Sequence, residues 1–195
     1  MATSRKIIGI AGNLASGKDE VGKILSEVYG YAHISCSDYL RSYIASNQLG
    51  TPDRDTCTRV AHDLRTQYGS TFLVDQCLTQ HSEVELLALS GIYSPAEAIK
   101  LKEVGGQVLH IVCRDEHIRY ERIVSRGHLR DGLSFEEFRA AQERENTGQH
   151  SQQDINAVGE MADYRIFNEG TLDDLAAQVA GYYSQAKIGA LDVRA

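Results

Sequence analysis

The sequence predicts a three-layer α/β/α fold with a mainly parallel five-stranded sheet and a small helical lid. Three observations support it. Short apolar segments alternate with segments of helical periodicity along the 195 residues. The apolar segments lack polar alternation, as expected for strands that helices cover on both faces. A glycine-rich turn joins the first strand directly to the first helix.

The periodicity gives bounds for each element. Strands are predicted over residues 7–11, 31–34, 84–89, 108–113 and 164–167. Helix starts are indicated by Ser94 and Ser134, each followed three residues later by Glu, and by Thr171. Pro52 is predicted at a first helical position and Ser70 as the cap of a shorter helix. The segment 146–157 is the least regular.

The turn after the first strand has the G-x-x-x-x-G-K spacing of a phosphate-binding loop. Glycines let consecutive backbone N–H groups face phosphate oxygens, and the helix start adds partial positive charge. The lysine then reaches a terminal phosphate. A simple strand-to-helix turn would leave the lysine unexplained. The loop residues are Gly12, Asn13, Leu14, Ala15, Ser16, Gly17 and Lys18.

The residue after the lysine departs from the usual pattern. Asp19 stands where a Ser or Thr hydroxyl ordinarily helps to hold Mg²⁺. Its carboxylate could ligate the ion directly or through water, although it also brings negative charge toward a triphosphate. Phosphate binding is therefore predicted more firmly than the geometry of the metal.

Composition narrows the class of protein. A length of 195 residues favours one domain over residues 1–195, and 42% hydrophobic and 24% charged residues are ordinary for a globular protein. A net charge of −7 argues against nucleic acid or an anionic membrane as partner. With no run long enough to span a membrane and no secretory signal pattern, a cytoplasmic protein is expected. The sequence is compatible with a homodimer.

Cysteine and histidine spacing does not favour a metal centre or a thiol nucleophile. The four cysteines are scattered without a C-x-x-C pair, which fits reduced thiols. The histidines considered show no metal-ligand spacing, so core or surface roles are expected for them. They are His33, His62, His110 and His128.

Parallel sheets bind ligands beyond the carboxyl ends of their strands, so the segment after the second strand is informative. It contains Ser35, Asp38 and Arg41 in a Ser-x-x-Asp-x-x-Arg arrangement. Together with the glycine loop, this resembles the adenylate kinase and nucleoside monophosphate kinase group of P-loop kinases. The resemblance implies that Arg41 holds the acceptor phosphate with Ser35 and Asp38 nearby. Alternatively, Asp38 caps a helix and Arg41 is solvated.

The C-terminal half is more similar to the dephospho-CoA kinases. The similarity lies in the arginine-bearing segment from Arg114, the acidic segment 135–145 and the turn Asn168-Glu169-Gly170. Ser90-Gly91-Ile92-Tyr93-Ser94-Pro95 matches little-characterised dephospho-CoA-kinase-like P-loop proteins. The resemblance implies that Asn168 and Gly170 lie where the adenine is held, although the same residues suit a plain turn.

A lid is expected over about residues 114–147, hinged at the polar break 127–132. Arginines in such a flap would bring positive charge to the migrating phosphoryl group and exclude water. The candidates are Arg122, Arg126 and Arg130. The alternative is a charged outer helix face with local ion pairs. Helices over about 38–80 are expected to bind the acceptor.

The third strand ends in Leu89-Ser90-Gly91, where many P-loop enzymes place an aspartate that steers Mg²⁺. Asp19 and Asp38 are therefore the candidate metal carboxylates, unless phosphate oxygens and water mainly hold the ion. The expected function is transfer of a phosphoryl group from ATP, with Mg²⁺, to a nucleotide-type acceptor. Lys18, Asp38 and Arg126 are the candidate catalytic residues. Dephospho-CoA remains an alternative acceptor, and a nucleotide-binding regulator without efficient transfer remains an alternative function.

Overall fold

The sheet of this protein is entirely parallel. A computed structural model describes residues 5–126, 134–146 and 153–186, without the Arg126 side chain. The strands are β1 (Lys6–Gly12), β2 (Ala32–Ser35), β3 (Leu86–Ile92), β4 (Gln107–Val112) and β5 (Tyr164–Phe167). Their order is β2-β3-β1-β4-β5, and each neighbouring pair is parallel. The predicted five-stranded α/β fold is therefore confirmed.

Helices connect the strands and cover both faces of the sheet. They are α1 (Lys18–Tyr29), α2 (Cys36–Ser46), α3 (Arg54–Tyr68), α4 (Phe72–Gln80), α5 (Pro95–Glu103), α6 (Glu116–Arg126), α7 (Phe135–Asn146), α8 (Ile155–Glu160) and α9 (Leu172–Gln185). Because successive strand residues point to opposite faces, β1 contributes to two cores. Ile7 packs against α4 and α5, whereas Ile8 and Ile10 pack against α1 and α9.

Two smaller clusters position the segments around the glycine loop. Apolar residues of α2, α3 and α4 form their own core around Ile44, Leu64 and Leu73. Ala15 of the loop packs against Ile123 of α6 and Phe138 of α7. The loop is therefore anchored on α6 and α7 through Ala15.

Several boundaries differ from the sequence prediction. Pro52 lies outside α3, because Asp53 is the cap and accepts a hydrogen bond from the Thr56 N–H at 2.8 Å. The cap position of α4 is Thr71 rather than Ser70. Strand β3 continues to Ile92, since Ser90 pairs with Ile10. The stretch expected to be irregular contains the start of α8, which Asp154 caps.

The expected helix starts at Ser94 and Thr171 are confirmed. Each side chain accepts from the backbone N–H three residues later, and the acidic residue at that position accepts from the cap residue's own N–H. Ser134 and Glu137 make the same reciprocal bonds. These local signals fixed the helix starts correctly because each involves residues only three apart.

Candidate active site

The loop between β1 and α1 forms a backbone cradle. Gly12, Ala15 and Gly17 have φ angles of 145°, 56° and 104°, a region that L side chains rarely adopt. The first N–H groups of α1 have no partner within the helix, so they are available to an anion at its start. This geometry is what a phosphate group requires.

The two glycines of the motif are also enforced by close contacts. A Cβ on Gly12 would lie 2.4 Å from the Ile111 carbonyl oxygen, and one on Gly17 would lie 2.1 Å from Asn168 Nδ2. The Ser16 hydroxyl is buried without a hydrogen-bond partner among the described residues. A cradle that excludes side chains and contains an unsatisfied hydroxyl fits a bound polyphosphate.

Lys18 begins α1 and folds back over the loop. Its Nζ donates to the carbonyl oxygens of Gly12 at 2.7 Å and Asn13 at 2.8 Å. It also lies 5.8 Å from the centroid of the Tyr93 ring. Beside it is a cavity of about 160 Å³, here called the loop cavity. A phosphate there would meet both the ammonium and the loop amides.

The expected metal carboxylates are placed differently from each other. Asp19 lines the loop cavity with Ser35 and Ser90, whereas Asp38 does not line it and pairs with Arg41. Within the described residues, no group of three or more His, Cys, Asp or Glu side chains could hold a metal ion. The oxygens near a Mg²⁺·phosphate complex would therefore come from Asp19 and hydroxyls, with phosphate and water completing the shell.

His33 and Ser90 form a pair beneath the loop that sequence reasoning missed. His33 Nε2 lies 3.0 Å from Ser90 Oγ. Burial lowers the pKa of His33, although the carboxylates of Asp19 and Asp38 oppose the shift. A Cβ on Gly22 would lie 2.4 Å from the imidazole, so this glycine makes room for the ring. A glycine inside α1 was the only sequence signal for this pairing.

Ser35, Asp38 and Arg41 lie together at the start of α2. Ser35 is the cap residue, and its hydroxyl accepts from the Asp38 N–H at 3.3 Å. The Arg41 guanidinium pairs with the Asp38 carboxylate, which is 70% exposed. Arg41 nevertheless lines the loop cavity. Such an exposed pair is held weakly, so an incoming anion can compete with Asp38.

A second cavity, of about 200 Å³, lies against α2, α3 and α4 and is here called the helix cavity. Its apolar wall is formed by Leu40, Ala61 and Leu73. It is also lined by two arginines of α3, Arg54 and Arg65. Sequence reasoning missed both arginines. The signal for Arg65 was its position four residues after buried Ala61, on the inward face of α3.

The two cavities share part of their walls. Leu14, Ser37, Arg41, Gly91 and Tyr93 line both of them. Burial raises the pKa of Tyr93 to about 12, and its phenol is a hydrogen-bond donor at neutral pH. Donor phosphates in one cavity and an acceptor in the other would therefore face each other across shared residues.

The lid arginines have distinct placements. Arg122 of α6 donates to the Asn168 carbonyl oxygen at 3.0 Å and to the Ala15 carbonyl oxygen at 3.4 Å. Arg119 is 2% exposed and donates to Gln142 of α7, which joins the two helices. The hinge 127–132, Arg130 and the Arg126 side chain lie outside the described residues.

Asn168 and Gly170 follow β5 and support neighbouring structure. Asn168 is 6% exposed, and its Nδ2 donates to the Ser16 carbonyl oxygen at 2.8 Å. A Cβ on Gly170 would lie 2.5 Å from an oxygen of Asp174, whose carboxylate caps α9. The observed contacts of Asn168 fix the back of the loop, while its predicted role at the adenine remains a prediction.

The arrangement can bind a polyphosphate and place a second molecule next to it. A ligand in the two cavities would meet lysine and arginine donors on one side and the apolar wall of the helix cavity on the other.

Among the described helices, none is both long enough and apolar enough to cross a bilayer.

Comparison with known proteins agrees with this geometry. A family model described as "AAA domain" matches residues 8–145. A UPF0200 protein of Methanosarcina mazei is 33% identical over 144 residues, which are 72% of this chain and 76% of the relative.

Solved structures share the fold at low sequence identity. A shikimate kinase of Bacteroides thetaiotaomicron gives a TM-score of 0.60 at 14% identity, covering 93% of this chain and 98% of that chain. A gluconokinase of Sinorhizobium meliloti gives 0.59 at 18% identity, covering 95% of each. At such identity the likeness concerns the fold alone. The family match and the M. mazei relative carry the assignment: this chain belongs to the AAA-domain family of P-loop proteins and to the UPF0200 family.

Proposed function

We propose that this protein is an ATP-dependent phosphotransferase that moves the terminal phosphoryl group to a small, nucleotide-type acceptor. The observation that carries the proposal is the shared wall between the loop cavity and the helix cavity. A protein that only bound a nucleotide would not need a second, partly apolar cavity open to the same phosphate position. Kinases need both, because transfer depends on bringing donor and acceptor into line.

The described residues have roles in this proposal that their positions support, and Arg126 has the role that the sequence predicts for it. The loop amides and Lys18 bind the donor phosphates, and Asp19 faces the same space. Mg²⁺ would supply charge neutralisation between phosphate oxygens, as in other phosphoryl transfers. Arg41 and Tyr93 lie at the shared wall, where they contact the group in transit. Arg126, from the lid, adds positive charge on closure.

Asp38 acts through Arg41 in this arrangement. Its carboxylate orients the guanidinium until an acceptor anion arrives, and is then free to accept a hydrogen bond from the acceptor or to help hold Mg²⁺ when the ion is bound. Arg122 ties α6 to the loop and to Asn168, so movement of the lid is transmitted to the donor site. Closure excludes water and limits hydrolysis of ATP.

The acceptor class follows from the sequence resemblance and the cavity. Ser35, Asp38 and Arg41 favour a nucleoside monophosphate, and the C-terminal half favours dephospho-CoA. Shikimate kinase and gluconokinase, which share the fold, are small-molecule kinases by name. A cavity of about 200 Å³ also suits a small molecule or one end of a larger one. Nucleic acid is not expected as acceptor, given the acidic net charge of −7.

The proposal is tested by measuring ADP formation from Mg·ATP with a panel of nucleoside monophosphates and dephospho-CoA. Wild-type protein should phosphorylate at least one of them. Lys18→Ala should lower transfer about 100-fold and weaken ATP binding, since it removes the charged donor of the loop. Lys23→Ala is the control, because Lys23 lies on the same helix with its side chain 58% exposed. No transfer to any acceptor, with ATP binding unaffected by Lys18→Ala, would contradict the proposal.

One observation favours a second function, that of a nucleotide-binding regulator. The position after Leu89 has a buried serine bonded to His33 rather than a metal-steering carboxylate. A regulator would bind ATP through the loop without turnover. Tight ATP binding that needs Lys18, together with no ADP formation on the whole panel, would select this function over the kinase.

A further inference from the structure

A buried ion pair forms the inner wall of the helix cavity. Arg65 of α3 donates from Nε at 3.1 Å and from Nη2 at 2.7 Å to one oxygen of Glu97 on α5. Both side chains are only 1% exposed. The other Glu97 oxygen accepts the backbone N–H groups of Tyr93 and Ser94. The guanidinium is thus held in one fixed orientation.

This fixed guanidinium has one nitrogen without a partner. Nη1 of Arg65 is buried and makes no hydrogen bond within the described part of the chain. Leaving a buried charged donor unsatisfied is unfavourable, and folded proteins usually avoid it. Arg65 also lines the helix cavity. The guanidinium group that carries the unsatisfied donor therefore borders a space that a ligand can enter.

The guanidinium donors of the helix cavity suit an anionic ligand. Three guanidinium groups, those of Arg41, Arg54 and Arg65, line the helix cavity, against the two carboxylates of Asp53 and Glu145. Arg54 pairs with Glu145, and Arg41 pairs with Asp38 outside the cavity. Counted with these partners and with Glu97, the three arginines meet four carboxylates, so the wall offers an anion guanidinium N–H donors rather than excess positive charge. Planar guanidinium groups match carboxylate and phosphate oxygens in geometry as well as charge.

We infer that Arg65 Nη1 binds an anionic group, a carboxylate or a phosphate, of the phosphoryl acceptor. The identification of this ligand as the phosphoryl acceptor rests on the proposed kinase function. The anion site itself does not depend on ATP. Arg65 is not among the residues that line the loop cavity, where Lys18 lies. The anion at Arg65 therefore contributes to recognition of the acceptor on the α3 side of the helix cavity. Arg65 is a binding residue, and Glu97 is its positioning residue.

The test compares binding of two matched pairs of probes by isothermal titration calorimetry. The pairs are adenosine 5′-monophosphate with adenosine, and glycerate with glycerol, so each pair differs in an anionic group. The first pair tests a phosphate, and the second tests a carboxylate. Wild-type protein should bind at least one anionic probe and bind its neutral counterpart at least 10-fold more weakly.

The variant is Arg65→Met combined with Glu97→Gln, since removing both charges avoids a lone buried carboxylate. Glutamine also keeps an oxygen for the Ser94 cap. The anionic probe should bind this variant about 10- to 100-fold more weakly, as expected for a lost charged hydrogen bond. The matched control is Arg59→Met with Asp63→Asn, an exposed pair on the same helix, which should leave binding unchanged.

The outcomes separate this inference from the proposed function. Equal binding of the anionic probe to wild type and the double variant would overturn the inference, as would binding of neither anionic probe. Thermal unfolding and ATP titration of each variant show that the fold and the loop are intact. If the anion binds through Arg65 but no phosphoryl transfer occurs with any acceptor, the kinase proposal fails while the anion site stands.

Discussion

Replacing Gly17 with alanine should damage the phosphate loop in two separable ways. The φ angle of 104° disfavours any L side chain and costs about 1–2 kcal/mol. The new Cβ would lie 2.1 Å from Asn168 Nδ2, which must then move away from the Ser16 carbonyl oxygen. Loss of that buried hydrogen bond adds about 1–3 kcal/mol. Together, Gly17→Ala should lower the free energy of unfolding by about 2–5 kcal/mol.

Urea denaturation measures this loss, and a titration with ATP measures the effect on the loop. Gly30→Ala is the matched control, because Gly30 also has positive φ, 74°, but a Cβ there meets nothing within 4 Å. It should show the backbone cost alone. Asn168→Ala should cost less stability in the Gly17→Ala background than in the wild type, because the hydrogen bond to the Ser16 carbonyl oxygen is already lost there. If Gly17→Ala and Gly30→Ala destabilise equally, or if ATP affinity is unchanged, the contact with Asn168 does not shape the loop.

Three further predictions concern titratable or charged side chains that are buried or half-buried. Arg65→Met alone should destabilise by about 3–5 kcal/mol in urea denaturation, because Glu97 stays buried without its partner, whereas Glu97→Gln in the same chain should reduce the loss. Burial first, then the charges of Arg165 and Lys18, lower the pKa of His110 to about 4. The folded state therefore binds fewer protons than the unfolded one, and His110 contributes stability above pH 6.5 that is lost as the pH falls toward 4, by about 3 kcal/mol at most. His110→Leu should flatten that part of the stability profile; an unchanged slope would refute the assignment. Arg122→Ala should weaken ATP binding and transfer about tenfold, because its bonds to the loop and to Asn168 are lost; equal kinetics in the variant would show that α6 does not support the loop.

Local signals accounted for what the sequence could predict. The β1-loop-α1 unit and the reciprocal caps at Ser94 and Thr171 involve residues within a few positions of one another, so the pattern contains the whole interaction. The parallel sheet followed from the apolar strands and the helices between them. These features needed no knowledge of which distant segments meet.

Most of the missed features depend on contacts between distant segments, and one depends on a choice between neighbouring residues. Arg65 and Glu97 are 32 residues apart, and a cap glutamate gives no indication that it also holds an arginine. His33 meets Ser90 because β2 pairs with β3, which the strand order decides. The cap of α3 was misplaced because Pro52 and Asp53 both suit a helix start, and the Asp53 bond to Thr56 decided between them.

The double duty of Glu97 constrains how this protein can evolve. The Glu97 carboxylate both caps the start of α5 and holds Arg65 in place. A mutation of Glu97 that changes the wall of the helix cavity therefore also weakens the start of a helix packed on the sheet. New ligand preferences would then arise more readily from Arg41 or Arg54, whose partners Asp38 and Glu145 are more exposed than Glu97. Divergent relatives should accordingly vary at Arg41 and Arg54 while retaining Arg65 together with Glu97.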